Sequence, residues 1–297
     1  MRTIDQLDGE TQVAGVIGWP VRHSLSPAMQ NAALAEMELN WAYVPFEVSP
    51  TRLPEALAGM RALGIVGLNV TVPHKEAVAD LVDELGETAK ALGAVNTVWN
   101  KEGTLYGYNT DGEGFLRSLR HAEESLVGKR VTLIGAGGAA RAVALVAARE
   151  QAAGLSIVNR TLEKAQDLAD LVNRQSSMKV GAVALSSKQA EGTVRDAEIV
   201  VDSTPCGMHP HSDDSPVVPA DWLGPGQLVC DLVYTPRETC LLRAAAARGA
   251  RTLDGTGMLV HQGAIALERW TGRPAPAATM QRALLAALQA RERASGE

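Results

Sequence analysis

Cysteine is scarce. Cys206, Cys230 and Cys240 are odd in number and form no CxxC pair, which excludes a disulfide framework and points to a reducing cytoplasm. Basic charge is not in excess: 28 Lys and Arg against 34 Asp and Glu leave a net charge of −6. That argues against nucleic acid or an anionic membrane as principal partner and toward a small ligand. The start, Met-Arg-Thr-Ile-Asp-Gln-Leu-Asp, lacks an apolar signal core, no apolar run is long enough to span a bilayer, and no repeat or low-complexity tract occurs. What remains is globular, with 46% hydrophobic residues for sizeable cores and a length of 297 residues that suits about two domains.

Residues 131–144 read Val-Thr-Leu-Ile-Gly-Ala-Gly-Gly-Ala-Ala-Arg-Ala-Val-Ala, a strand, a glycine turn and a helix of small residues. Gly135, Ala136, Gly137, Gly138, Ala139 and Ala140 fit Gly-x-Gly-x-x-Ala: Gly135 permits the tight turn, Gly137 lets a pyrophosphate approach the backbone, and Ala140 keeps helix and strand close. Helix-terminal N–H groups then face the phosphates. Alone, the pattern suits an ordinary strand–helix connection equally well; a second apolar run at 155–158, at βαβ spacing, favours the nucleotide reading. Further strands near Val180, Ile199 and Leu228, with a short one at 251–253, fit a doubly wound sheet.

NAD-selective folds place an acidic residue at the end of the second strand to bind the ribose. This chain has Asn159-Arg-Thr-Leu-Glu-Lys164 there. Arg160 suits a charge-assisted contact with a 2′-phosphate, Asn159 and Thr161 add neutral hydrogen bonds, and Lys164 follows on the next helix, so NADP is the expected cofactor. The alternative is an exposed arginine followed by a threonine N-cap. His209 and His211, in the loop 206–219, lack three or four ligands at metal spacing, and no metal is expected.

The preceding half alternates strands (12–18, 41–48, 65–71) with helices, which implies a parallel sheet. Ser26 is expected as an N-cap with Pro27 opening a helix on Met29, Ala32, Ala33 and Met37. A helix is expected from Pro73 to about Leu85, another over 87–92, then a hairpin pairing 95–99 with 104–108. The acidic stretch 123–128 reads as a linker into the nucleotide domain, and two amphipathic helices, 256–270 and 277–293, close the chain.

Open α/β sheets bind ligands beyond the carboxyl ends of their strands. His23, Ser24 and Ser26 follow the first strand, Thr71 and Lys75 the third, and Asn96 and Asp111 belong to the hairpin end that returns to the same edge. Each has a plainer reading: the serines as turn and cap, Asn96 and Asp111 as Asx residues satisfying a loop, Lys75 as a solvated cation, although a helix N-terminus favours anions. Their convergence carries more weight than any one of them.

These segments also carry a resemblance. Gly18-Trp-Pro-Val-Arg-His-Ser-Leu-Ser-Pro27, Gly67-Leu-Asn-Val-Thr-Val-Pro-His-Lys75, Gly93-Ala-Val-Asn-Thr97, Gly107-Tyr-Asn-Thr-Asp111, Thr204-Pro-Cys-Gly-Met208, Asp231-Leu-Val-Tyr-Thr-Pro236 and Gly257-Met-Leu-Val-His-Gln262 resemble the signature segments of the shikimate dehydrogenase family, in family order over nearly the whole chain. Gln30 departs from the pattern, since many relatives have histidine there. The resemblance implies NADPH-dependent reduction of the ketone of 3-dehydroshikimate to shikimate, on the route to aromatic amino acids. It implies that Ser24, Ser26, Thr71, Asn96, Tyr234 and Gln262 hold the substrate, that Lys75 and Asp111 serve the reacting oxygen as a coupled pair, and that Leu232 and Gly255 join the glycine turn in holding the cofactor.

The implied fold is α/β with two domains. Residues 1–111 plus 256–297 form a discontinuous substrate domain with a mainly parallel sheet, residues 112–255 a Rossmann-type nucleotide domain, and the cleft between them is the active site. Two alternatives stay open: a quinate/shikimate dehydrogenase using NAD or NADP, and a nucleotide-responsive binding module without turnover. The presence of both Lys75 and Asp111 argues against the second. The sequence leaves a homodimer open.

Overall fold

The structure, a computed structural model, describes residues 7–209 and 215–295. His211 therefore lies outside the described residues. The chain divides into two compact units, one running up to Thr110 and resuming at Leu259, the other Asp111–Met258.

The first unit holds strands β1 (Gln12–Gly18), β2 (Trp41–Glu47), β3 (Gly67–Val70), β4 (Glu84–Leu85), β5 (Thr97–Lys101) and β6 (Thr104–Tyr108), in the spatial order β2-β1-β3-β5-β6-β4. β1 is parallel to β2 and β3, whereas β5 is antiparallel to β3 and β6, and β4 is parallel to β6. The sheet is thus mixed. The hairpin β5–β6 turns on Glu102 and Gly103, both at positive φ, with Lys101 paired to Thr104. Its loop is two residues long, so Lys101 belongs to the strand.

Successive residues of β3 face opposite sides, as pleating requires. Leu68 and Val70 join Leu53, Leu57 and Met60 of α2 (Leu53–Ala62), Val78 of α3 (Lys75–Ala79) and Ala89 of α4 (Glu87–Leu92) in one core cluster. Gly67 faces the other way, where the indole of Trp270 occupies the space a side chain would need, about 2.2 Å from the Cβ position. Trp270 also donates from Nε1 to Val98 O at 3.1 Å. It belongs to α10 (Thr256–Thr271), which shares this face with α1 (Ser26–Glu36); α1 in turn packs on α11 (Ala277–Ser295).

Two expectations are corrected here. The helix expected up to Leu85 ends at Ala79, and residues 84–85 form β4 instead. Asp83 is the reason: its carboxylate accepts from Arg61 at 2.6 Å and from the Leu105 N–H at 2.7 Å, and its own N–H donates to Leu105 O at 3.0 Å. Those bonds pull the segment into strand geometry, and the Arg61 and Leu105 contacts hold the Asp83 carboxyl below its usual pKa. Ser26 is not the N-cap of α1. Leu25 holds that position without a side-chain bond, and Ser26 lies inside the helix; the Ser24 hydroxyl accepts from the Ser26 N–H at 3.2 Å.

The second unit is a fully parallel sheet of β7 (Arg130–Ile134), β8 (Gly154–Asn159), β9 (Val180–Ala184), β10 (Ile199–Asp202), β11 (Leu228–Asp231) and β12 (Arg251–Leu253), ordered β12-β11-β10-β7-β8-β9. Numbered from β7, this is the 3-2-1-4-5-6 order of dinucleotide-binding folds, with its switch point between β7 and β10. Its helices are α5 (Asp111–His121), α6 (Gly138–Arg149), α7 (Leu162–Gln175), α8 (Lys188–Arg195) and α9 (Cys240–Ala247). α5 packs on α6, with Gly112 admitting Val146 and the Ala142 carbonyl. Residues 123–128, expected as the lead into this domain, therefore lie within it: Leu126 is buried and the Gly128 N–H donates to Gln151 O. No helix among the described residues is long and apolar enough to cross a membrane.

Candidate active site

The register of the first sheet brings its polar residues to one edge. Ile17 pairs with Val70, Asn69 with Thr97, and Thr97 with Tyr108, so the carboxyl ends of β1, β3 and β6 and the start of β5 coincide. Thr71 leaves β3 there, its N–H donating to Ile17 O at 2.9 Å. Gly18 makes room for it, since a Cβ at that position would stand 2.5 Å from the Thr71 methyl. His74 is buried, one ring nitrogen 2.7 Å from Val48 O, and it anchors the start of α3. Lys75 is the first residue of that helix, half-buried, and its carbonyl accepts from the Val95 N–H at 2.8 Å. The His74 anchor on one side and the Val95 bond on the other fix where the Lys75 backbone sits.

Asn96 is the centre of a buried network. Its Oδ1 accepts from the Thr110 N–H at 2.9 Å and from the Thr97 hydroxyl at 3.0 Å, and its Nδ2 donates to the Thr110 hydroxyl at 3.0 Å. The Thr110 hydroxyl also lies 3.0 Å from Gln262 O as a donor. Asn96 is therefore more than a loop-satisfying residue: it ties β5 to the segment leading into Asp111 and to α10. Asp111, 5% exposed, follows Thr110 directly and opens α5. Ser26 (8% exposed), Asn96 and the Gln262 backbone share this first unit with Ser24, Thr71 and Lys75. Tyr234 and Leu232 lie beyond β11 in the second unit, where Gly255 packs so closely on the Leu232 carbonyl that a Cβ would stand 2.4 Å from it.

Sequence reasoning overlooked Tyr43, Asn69, Thr97 and Thr110. The last three stand inside the motif segments, a signal that was available. Tyr43 had none. Its phenol is buried and donates to Asn69 Oδ1 at 2.8 Å. Burial raises its pKa well above the usual tyrosine value, with the Ser26 side chain opposing that rise by hydrogen bonding.

In the second unit the glycine turn has the geometry expected of a phosphate cradle. Gly135 sits at φ +103°, and a Cβ there would meet the Ser203 hydroxyl at 2.4 Å, so only glycine fits. Gly137 and Gly138 are exposed, with open space where side chains would stand. Gly137 is the N-cap of α6, no side chain caps that end, and its first turn carries no acidic residue. Orphan N–H groups of a twelve-residue helix thus remain available to an anion. At the end of β8, Asn159 Nδ2 donates to Thr161 O at 2.8 Å. Thr161 occupies the N-cap position of α7 without its side chain capping, so its hydroxyl is not committed to the alternative role. Arg160 and Lys164 are exposed. These residues fit an adenosine 2′-phosphate.

β10 and β11 end on paired aspartates. Asp202 stands opposite Asp231 in register, and both are buried. Asp231 accepts from Val233 N–H at 2.9 Å and from the Thr239 hydroxyl at 2.6 Å. Asp202 Oδ1 accepts from Thr204 N–H at 2.8 Å, while its Oδ2 has no hydrogen-bond partner among the described residues. Burial, with the Asp231 charge second, pushes Asp202 up to about 7, and burial pushes Asp231 up to about 6. His209 lies at a turn, its N–H donating to Thr235 O.

The chain is similar to known proteins in both sequence and fold. The family model for the shikimate dehydrogenase substrate binding domain matches residues 16–98, that for shikimate / quinate 5-dehydrogenase residues 118–210, and that for the shikimate 5′-dehydrogenase C-terminal domain residues 255–285. A relative from Methanopyrus kandleri, named shikimate dehydrogenase (NADP(+)), is 50% identical over 282 residues, covering 94% of this chain and 97% of its own. A crystal structure of a shikimate dehydrogenase in complex with NADP+ is similar at TM-score 0.90 and 39% identity, over 95% of this chain and 97% of that one. The shikimate 5-dehydrogenase of Listeria monocytogenes, solved with shikimate and NAD, gives 0.88 and 36% over 94% and 98%. With three family models matched in order and similarity along almost its whole length, this chain belongs to the shikimate dehydrogenase family.

Proposed function

We propose that the protein catalyses the reversible NADPH-dependent reduction of 3-dehydroshikimate to shikimate. In this reading residues 1–111 with 256–297 bind the substrate and residues 112–255 bind NADP. Ser24, Ser26, Thr71, Asn96, Tyr234 and Gln262 hold the hydroxyls and carboxylate; Lys75 and Asp111 serve the reacting oxygen. Gly135 to Ala139 receive the pyrophosphate, Asn159, Arg160, Thr161 and Lys164 the adenosine 2′-phosphate, and Leu232 and Gly255 line the rest of the cofactor site. A reducing cytoplasm suits the three free cysteines.

The observation that carries the substrate assignment is the buried network through Asn96, which sets hydroxyl and amide groups at one sheet edge beside an ammonium-bearing helix start. When bound, the nicotinamide of NADPH supplies a hydride to the ketone carbon. Negative charge then develops on the carbonyl oxygen and must be met by a donor already in place. Lys75 gives that oxygen its proton, and Asp111 orients the ammonium. The test is oxidation of NADPH, followed by absorbance, on addition of 3-dehydroshikimate, together with kcat/KM for shikimate and quinate using NADP and NAD. A protein that fails to oxidise NADPH, or that prefers quinate or NAD, overturns the assignment.

A further inference from the structure

The segment 231–239, which carries Leu232 and Tyr234, is closed on itself and fastened to the end of the neighbouring strand. At its base the Thr239 hydroxyl donates to Asp231 Oδ2 at 2.6 Å and the Val233 N–H to Asp231 Oδ1 at 2.9 Å. Further along, Arg237 reaches Asp254, just beyond β12: Nε and Nη2 both donate to Oδ2, at 3.0 and 2.8 Å. The other oxygen, Oδ1, accepts from the Thr256 N–H at 2.9 Å and from the Thr256 hydroxyl. Asp254 therefore joins the loop to the first residue of α10. Next to it, the Gly255 N–H donates to Val233 O at 3.2 Å. The Leu232 carbonyl and Val233 O occupy the space a Gly255 side chain would need, 2.4 and 2.7 Å from the Cβ position. Two stretches of backbone thus touch with no side chain between them, and the Arg237–Asp254 pair spans both. Across the strand order β12-β11-β10-β7-β8-β9, a dinucleotide lies over the switch point between β7 and β10. The glycine turn after β7 and the Arg160 segment after β8 take the adenosine half. The nicotinamide half then extends over the carboxyl ends of β10 and β11, where Leu232 and Gly255 stand.

We propose that Arg237 is a positioning residue for the nicotinamide half of the cofactor: paired with Asp254, it holds the Leu232 and Gly255 backbones in the arrangement that half meets on binding. This rests on the reading that the second unit binds NADP. A planar guanidinium delivering two N–H groups to one carboxylate fixes direction as well as distance, which a lysine ammonium does not. Without that bond, residues 232–238 have to be ordered when the nicotinamide arrives, and the cost of ordering is subtracted from affinity. Arg237 touches neither cofactor nor substrate in this role.

Calorimetric titration of the whole protein with NADP and with adenosine 2′,5′-bisphosphate, the cofactor fragment that lacks nicotinamide, tests this. Arg237→Ala is expected to weaken NADP binding about three- to tenfold, the upper end for an ion pair that is half exposed but doubly hydrogen-bonded, and to leave fragment binding within about twofold. Asp254→Asn keeps an oxygen to accept from Thr256 and loses the charge, so it should weaken NADP to a similar extent. Combining the two should add little, because both break the same pair. Arg237→Lys should recover part of the loss. Equal weakening of NADP and the fragment, or unchanged NADP affinity in Arg237→Ala, overturns the role of Arg237. So does an Asp254→Asn protein that binds NADP as wild type does, since the arginine would then act without its partner. A wild type that binds neither ligand removes the cofactor reading of the second unit, and the proposal falls with it.

Discussion

Replacing Asp202 by Asn should stabilise the protein at alkaline pH and hardly affect it in acid. In the folded chain Asp202 and Asp231 face each other on adjacent strands, both out of water, and burial raises them to about 7 and about 6. Unfolded, each carboxyl returns to the ordinary aspartate range near about 3.9. Between about pH 4 and pH 7 the folded state therefore holds protons that the unfolded state has lost, and stability falls as pH rises. The contribution is fully present below the unfolded pKa and is lost as pH passes the folded values. For Asp202 the rise to about 7 corresponds to roughly 4 kcal/mol, and because the two groups titrate together about 2 to 4 kcal/mol is the realistic range for one substitution.

The amide of the Asp202→Asn variant reproduces the neutral acid at a site where Asp202 Oδ2 has no hydrogen-bond partner among the described residues. For a domain of about 150 residues such a gain raises Tm by very roughly 5 to 15 °C. Thermal unfolding of both proteins at pH 5 and pH 8 tests this. The expected difference is small at pH 5 and large at pH 8, with the variant the more stable. A variant equal to wild type or weaker at pH 8, or a difference independent of pH, refutes the argument.

Lys75→Ala should lower kcat by about 10² to 10⁴ with little change in KM, the signature of a group acting in the transition state; a near-normal kcat in steady-state assays removes it from the mechanism. Ser24→Ala should raise the KM for shikimate and leave NADP affinity intact, as separate calorimetric titrations with each ligand would register; equal weakening of both would make the serine structural. Arg160→Ala should cost roughly ten- to a hundredfold in NADP affinity, the range of a hydrogen bond to a charged group, with NAD binding unmoved. Parallel kcat/KM values for the two cofactors decide it, and a variant losing both equally would contradict the phosphate contact.

The sequence alone determined the elements whose signals are local. Val131, Leu133 and Ile134 are apolar and precede glycines that only a tight turn needs, so strand, cradle and helix were legible together, as was the succession of strands through Leu228. The family, too, could be read from segments such as that ending at Lys75. What only the tertiary structure decided depends on partners distant along the chain. Residues 80–85 have helical composition, yet Asp83 bonds to Arg61 and Leu105, each 22 positions away, and side-chain bonding to those partners overrode propensity. Ser26 looked like a cap because cap residues are recognised by type, whereas the backbone turned into the helix one residue earlier. Tyr43 carried no motif and gained its place only when β2, β1, β3 and β5 came into register and set its phenol beside Asn69. Asp202 and Asp231 are likewise ordinary strand-end residues, far apart along the chain, until parallel pairing of β10 and β11 buries them side by side and makes their protonation a property of the fold.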